Sequence, residues 1–173
     1  MLEEVILVDE KDNEIGTEEK INAHNLNLRH RAFSIFVYNP SGNWIMIQKR
    51  AKDIYQSKGL WSNTCCSHPR KGESTEAAAH RRLKEEMGFD CSLKEIFSFV
   101  YNVKLDKGIY ENEYDHVFLG KYDGKPLPNS KFVEDWKWIK YGTLIKDIKN
   151  NPDKYTYWLR LCIDKVVNEI IKN

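Results

Sequence analysis

The segment LWSNTCCSHP, Leu60 to Pro69, places two adjacent cysteines, Cys65 and Cys66, three and two residues ahead of His68. Thiols in such a setting can bind zinc, form a redox pair, act as nucleophiles or simply move protons. A second group lies in YENEYDHVF. Side chains alternate along a strand, so Glu111, Glu113 and Asp115 share one face there. Three carboxylates on one face repel each other unless a cation, a proton or solvent relieves them. The tyrosines and the apolar run beside them suggest a buried sheet and shift the reading toward a metal site. His24, His30 and His68 are the natural complement. Imidazole and carboxylate together suit Zn²⁺, Mn²⁺ or Fe²⁺, and three histidines with two glutamates nearly fill an octahedron. His80 and His116 read as ordinary polar residues.

A third group lies in RRLKEEMG. Glu85 and Glu86 fall near the end of a helix, where the dipole disfavours negative charge. Arg81 and Arg82 can pair with them across a turn. Alternatively one glutamate faces inward and holds Mg²⁺, which uses one or two carboxylates and completes its shell from phosphates. Lys20, Arg50, Lys52 and Lys58 are candidate cations for such phosphates.

The elements that must position these groups are legible from pattern. VILVDEKDNEIG reads as strand, turn and strand, and AFSIFVYNPSGNWIMIQKR as a hairpin around Asn39-Pro40-Ser41-Gly42. Ser74 to Met87 is helical, with Ala79, Leu83 and Met87 on one stripe and Gly88 as the stop. A long hairpin spans about Lys94–Leu105 and Ile109–Lys121, turning at Asp106-Lys107-Gly108. A strand near Trp136–Ile139, a short helix near Thr143–Lys149 and a last helix from about Thr156 to Ile171 complete the chain. Hairpins with a helix between them imply an α+β class, not a doubly wound sheet.

The 173 residues suit a single domain, 1–173, and a composition 41% hydrophobic and 31% charged is that of a globular protein. A formal charge of +1 offers no case for nucleic acid, and no apolar run reaches membrane-spanning length. The four cysteines are too few and too ill-spaced for a disulfide framework. The start, MLEEVILVDE, lacks the basic and apolar regions of a signal peptide, so a cytoplasmic protein is expected.

The stretch SHPRKGESTEAAAHRRLKEEMGF resembles the Nudix motif, with Glu73, Arg81, Leu83, Glu85, Glu86, Gly88 and Phe89 in register. Ser67 replaces its leading glycine and Arg82 its first paired glutamate, which fits a branch that has changed its chemistry. LRHRAFSIFVYN, GLWSNTCCSHP, RRLKEEMG and YENEYDHVF, in that order, resemble the type I isopentenyl diphosphate isomerase family from about Val5 to Lys165. The resemblance implies a Nudix-like mixed sheet sandwiched between helices, with hairpin insertions. It implies interconversion of isopentenyl and dimethylallyl diphosphate through a tertiary carbocation, with Nudix pyrophosphohydrolysis of a nucleoside diphosphate derivative as the alternative.

By position, the resemblance makes Cys66 the catalytic thiol, Glu113 with Tyr101 the opposing acid, and Trp158 the ring over the isoprenoid pocket. His24, His30, His68, Glu111 and Glu113 become ligands of a protein-bound divalent metal (Mn²⁺, Mg²⁺ or Zn²⁺). Glu86 helps hold Mg²⁺ with the substrate diphosphate, which Lys20, Arg50 and Arg82 would also contact. A lysine usual in the family is here Ile54, leaving Lys52 or Lys58 to replace it. The implied partner is the small-molecule substrate, with no nucleic acid or membrane, for a monomer or weak homodimer.

Overall fold

A computed structural model describes residues 3–105 and 108–172. In chain order the elements are β1 (Glu4–Val8), β2 (Glu14–Glu19), α1 (Lys20–Asn25), β3 (His30–Tyr38), β4 (Trp44–Arg50), β5 (Trp61–Ser62), β6 (Cys65–Ser67) and α2 (Thr75–Met87). There follow β7 (Leu93–Lys104), β8 (Tyr110–Lys121), β9 (Val133–Lys140), α3 (Tyr141–Asn150), a 3-10 turn at Pro152–Lys154, and α4 (Tyr157–Lys172).

Strand β3 organises the sheet. One edge pairs in parallel with β8 along its whole length, from His30↔Glu113 to Tyr38↔Lys121. The other edge is shared in turn by β1 at His30, by β6 at Phe33 to Ile35, and by β4 at Val37 and Tyr38. The expected β3–β4 hairpin therefore exists only at its mouth. Beyond two paired positions β4 leaves β3 and pairs with β9 from Trp44 to Arg50. The gap this opens beside β3 is where β6, and with it the two cysteines, is seated.

The β1–β2 and β7–β8 hairpins form as their patterns suggest. The Asp106-Lys107 part of the second turn lies outside the described residues, while Gly108 takes a left-handed φ of 77°. Helix α2 begins when the Ser74 hydroxyl accepts from Ala77 N–H at 3.2 Å, and it ends at Gly88 with φ 72°. A side chain at Gly88 would also strike the Leu127 carbonyl. Three short elements had no pattern to announce them: α1, β5 and β6.

Helices cover both faces of the sheet. Phe33, Ile35 and Val37 pack on Leu83 and Met87 of α2. Their alternates Phe36 and Tyr38 pack, with Val117 and Leu119, on Leu144 of α3 and Leu159 and Ile163 of α4. This is the expected mixed-sheet α+β sandwich. Among the described residues no helix is long and apolar enough to cross a membrane.

Candidate active site

A cavity of about 850 Å³ opens beside β3, with walls from both α2 and α4. Its walls include Lys20, Arg50, Cys66, His68, Arg82, Glu86, Glu111, Glu113 and Trp158. The period-two pleat selects between the cysteines. Cys66 pairs with Ser34 and faces the cavity, whereas Cys65 pairs with Ile35 and is buried in the α2-side core.

One pole gathers imidazoles and carboxylates. His24 Nδ1 donates to the Tyr110 carbonyl and His30 Nδ1 to the Leu28 carbonyl, each at 2.8 Å. Both Nε2 atoms are thereby left as lone pairs, and both are shielded from solvent without a hydrogen-bond partner. His68 Nε2 lies 2.9 Å from Glu113 Oε1, and Tyr101 donates to Glu113 Oε2 at 2.6 Å. Ligand atoms of His24, His30 and His68 all fall within 4.8 Å of one another, as do those of His30, Glu111 and Glu113. Unpartnered buried acceptors each cost about 1–3 kcal/mol. Their convergence here, with a mixed nitrogen and oxygen donor set, fits a divalent cation.

Electrostatics supports that fit. Burial lowers His24 to about 4, helped by the adjacent His30, and lowers His68 to about 3. Both rings are therefore neutral near pH 7, the form that could ligate a cation. Burial and the neighbouring Glu113 push Glu111 well above the carboxylate range. Burial also opposes charge on Glu113, but the imidazoles of His30 and His68 outweigh it and hold that carboxyl well below its usual range. Asp115 shares the face, as expected, yet stands apart: Ser34 donates to its Oδ2 at 2.8 Å.

The thiol forms a second pole. Burial pushes Cys66 up to about 12, partly countered by Arg50, whose Nη1 lies 3.4 Å from Sγ. Arg50 also lies over the Trp158 ring, 5.4 Å from its centroid. The indole N–H donates to Ser62 Oγ at 3.1 Å and Asn63 Oδ1 at 3.0 Å. Asn63 in turn donates to the carbonyls of Ile35 at 3.1 Å and Cys65 at 2.7 Å. One buried amide thus aligns β3, the thiol strand and the tryptophan.

The third wall is α2. Arg82 Nη2 reaches Glu86 Oε1 at 2.5 Å and its Nη1 reaches Glu85 at 2.8 Å. Gln48 donates to the other Glu86 oxygen at 3.1 Å. Arg81 closes on Glu73 at 2.7 Å and on Glu85 at 3.3 Å. The arginines pair with the glutamates, as the first reading of this helix expects, and Glu86 lines the cavity.

Lys52 and Lys58 are not brought to the cavity. Both are exposed, and Lys52 lies 3.8 Å from Glu134 on the outer surface. Ile54 does line the cavity, as do Arg70 and Lys71, which the sequence reading left aside. Gln56 and Asn63 were missed as well. Their contacts run through amides and backbone carbonyls of residues distant in sequence, and no spacing rule signals them.

Comparison with known proteins adds an independent line. The NUDIX domain family profile matches residues 28–159. An isopentenyl-diphosphate Delta-isomerase 1 of Aromatoleum aromaticum is 51% identical, covering 96% of this chain and 94% of that protein. An isopentenyl-diphosphate Delta-isomerase of Serratia proteamaculans is 44% identical, covering 98% and 95%. Among solved structures, a Deinococcus radiodurans protein, DR0079, superposes with a TM-score of 0.78 at 18% identity, covering 94% of this chain and 98% of that one. At that identity the superposition speaks for the fold alone.

Proposed function

The chain belongs to the isopentenyl-diphosphate Delta-isomerase family within the Nudix superfamily, and from that premise we propose that it interconverts isopentenyl and dimethylallyl diphosphate. One observation carries the residue assignment. A thiol and a tyrosine-backed carboxylate face the same cavity from strands on opposite edges of β3.

The reaction adds a proton at one carbon and removes another two carbons away. Protonating an unactivated alkene creates a tertiary carbocation, so the site must exclude water and aim acid and base at opposite sides. On the acid side, the proton moves along the Tyr101 Oη to Glu113 Oε2 hydrogen bond, 2.6 Å long, and from Glu113 to the alkene. On the other side, Cys66 acts as the thiolate, which Arg50 Nη1 at 3.4 Å favours, and its Sγ receives the departing proton to become the thiol. The buried Trp158 ring steadies the positive charge between them through its quadrupole. Lys20, Arg50 and Arg82 orient the diphosphate, and Arg70 and Lys71 compensate for Ile54.

His24, His30, His68, Glu111 and Glu113 would hold a divalent cation supplying positive charge beside the acid, and Glu86 would hold Mg²⁺ that neutralises the diphosphate. Mn²⁺, Mg²⁺ and Zn²⁺ all suit the first site. The whole chain acts as one cytoplasmic catalytic domain on this small molecule, as a monomer or weak homodimer, without nucleic acid or membrane. Relatives named isopentenyl-diphosphate Delta-isomerase, 50% and 51% identical over nearly the whole chain, favour this reading over the hydrolase alternative.

NMR of the purified protein with isopentenyl diphosphate and Mg²⁺ in D₂O tests the reading. Deuterated dimethylallyl diphosphate without free phosphate is expected. An unchanged alkene rejects it, and phosphate release would point to the hydrolase.

A further inference from the structure

We propose that Gln56 is a positioning residue for the metal-site carboxylate Glu111, an inference that rests on the metal-site reading above. Gln56 lies in the irregular loop between β4 and β5 and lines the cavity. Its side-chain Nε2 donates a hydrogen bond to Glu111 Oε1. Glu111 itself is fully buried, and its second oxygen, Oε2, has no hydrogen-bond partner among the described residues. The nearest imidazole nitrogen, His24 Nδ1, lies 3.6 Å away and is already committed to the Tyr110 carbonyl at 2.8 Å.

Burial and Glu113 hold Glu111 toward its protonated form, and a bound cation would favour the carboxylate, which can accept at both oxygens. With an N–H donor on Oε1, the group is turned so that Oε2 remains for a cation shared with His30 and Glu113. Hydrogen bonds of this kind to a ligating carboxylate fix its orientation before the ion arrives. The other half of the amide agrees with this arrangement. Gln56 Oε1 is shielded from solvent and accepts no hydrogen bond from the described residues, so it does not compete for the Nε2 grip on Glu111.

The same residue anchors the opposite pole through its backbone. Arg50 donates to the Gln56 carbonyl from Nε at 3.4 Å and from Nη2 at 3.2 Å, while its Nη1 faces the Cys66 thiol. A side-chain substitution keeps that carbonyl and removes only the grip on Glu111. Its signature is a loss of metal affinity rather than a general loss of structure.

The test is a Mn²⁺ titration of the metal-free full chain, followed by calorimetry and by the paramagnetic resonance of free Mn²⁺. It compares wild type with Gln56→Met, which keeps the length but has no N–H, and with Gln56→Ala. A 10–100-fold weaker Mn²⁺ affinity in both variants, with unchanged circular dichroism, is expected. Equal affinity in wild type and either folded variant overturns the proposal. A wild-type protein that takes up no Mn²⁺ rejects the metal-site reading itself, and the proposal with it.

Discussion

At the scale of single residues, two neighbouring thiols have different fates because the strand beneath them alternates. Cys66→Ala and Glu113→Gln each remove a proposed proton carrier and should lower isomerase turnover by roughly 10²–10⁴-fold. Cys65 sits in the α2-side core beside Glu86, so Cys65→Ala should cost stability and lower turnover far less than Cys66→Ala, which steady-state assays beside thermal melts would separate. Burial raises Cys66 to about 12, so its thiolate is scarce near neutrality. Alkylation of Cys66 in the ligand-free protein should keep rising about tenfold per pH unit from 8 to 10, where a free thiol of pKa about 8.5 levels off. Mass spectrometry of the Cys66 peptide checks this, and a plateau near pH 9 would contradict it. Much of the site was legible at this scale, since histidines, alternating glutamates and a cysteine carry their chemistry in their type. Asn63 and Gln56 were not, because an amide becomes informative only when its partners are known.

Among the elements, the long hairpin, α2 and α4 were readable because each repeats its period over many residues. The β3–β4 hairpin was only half readable. Its turn was correct, but tertiary pairing with β8, β6 and β9 draws the strands apart after two rungs. Strand β6 is three residues long, too short to show any period, and it carries the thiol. The α3–α4 junction offers a test with a definite sign. Asp147 is held below its ordinary carboxylate range first by the Tyr155 hydroxyl, at 2.5 Å, and then by Asn151. A lowered folded-state pKa contributes stability above the unfolded value, about 3.9, that is lost as pH falls through the folded value. Tyr155→Phe should therefore destabilise the protein more at pH 6 than at pH 3. Urea melts at the two pH values measure the difference, and an equal penalty at both would refute the linkage.

For the whole molecule, the proposed cation site joins α1, β3, β8 and the segment after β6, so a metal bound there would be linked to global stability. Chelation should abolish turnover and lower the melting temperature. At free metal 100-fold above Kd the lost stabilisation is about 2.7 kcal/mol, or roughly 5–10 °C for a chain of this size. Calorimetry with and without chelator checks this, and readdition of Mn²⁺ should restore both properties. The two-sided sandwich also makes its cysteines useful as clocks. Cys65 is sealed in the layer beneath α2, Cys162 in the layer beneath α4, and Cys66 and Cys91 are partly accessible. Under native conditions a thiol reagent reaches the sealed pair only when their own layer opens. The order in which Cys65 and Cys162 are modified would therefore date the breathing of each half separately, with no label introduced by mutation.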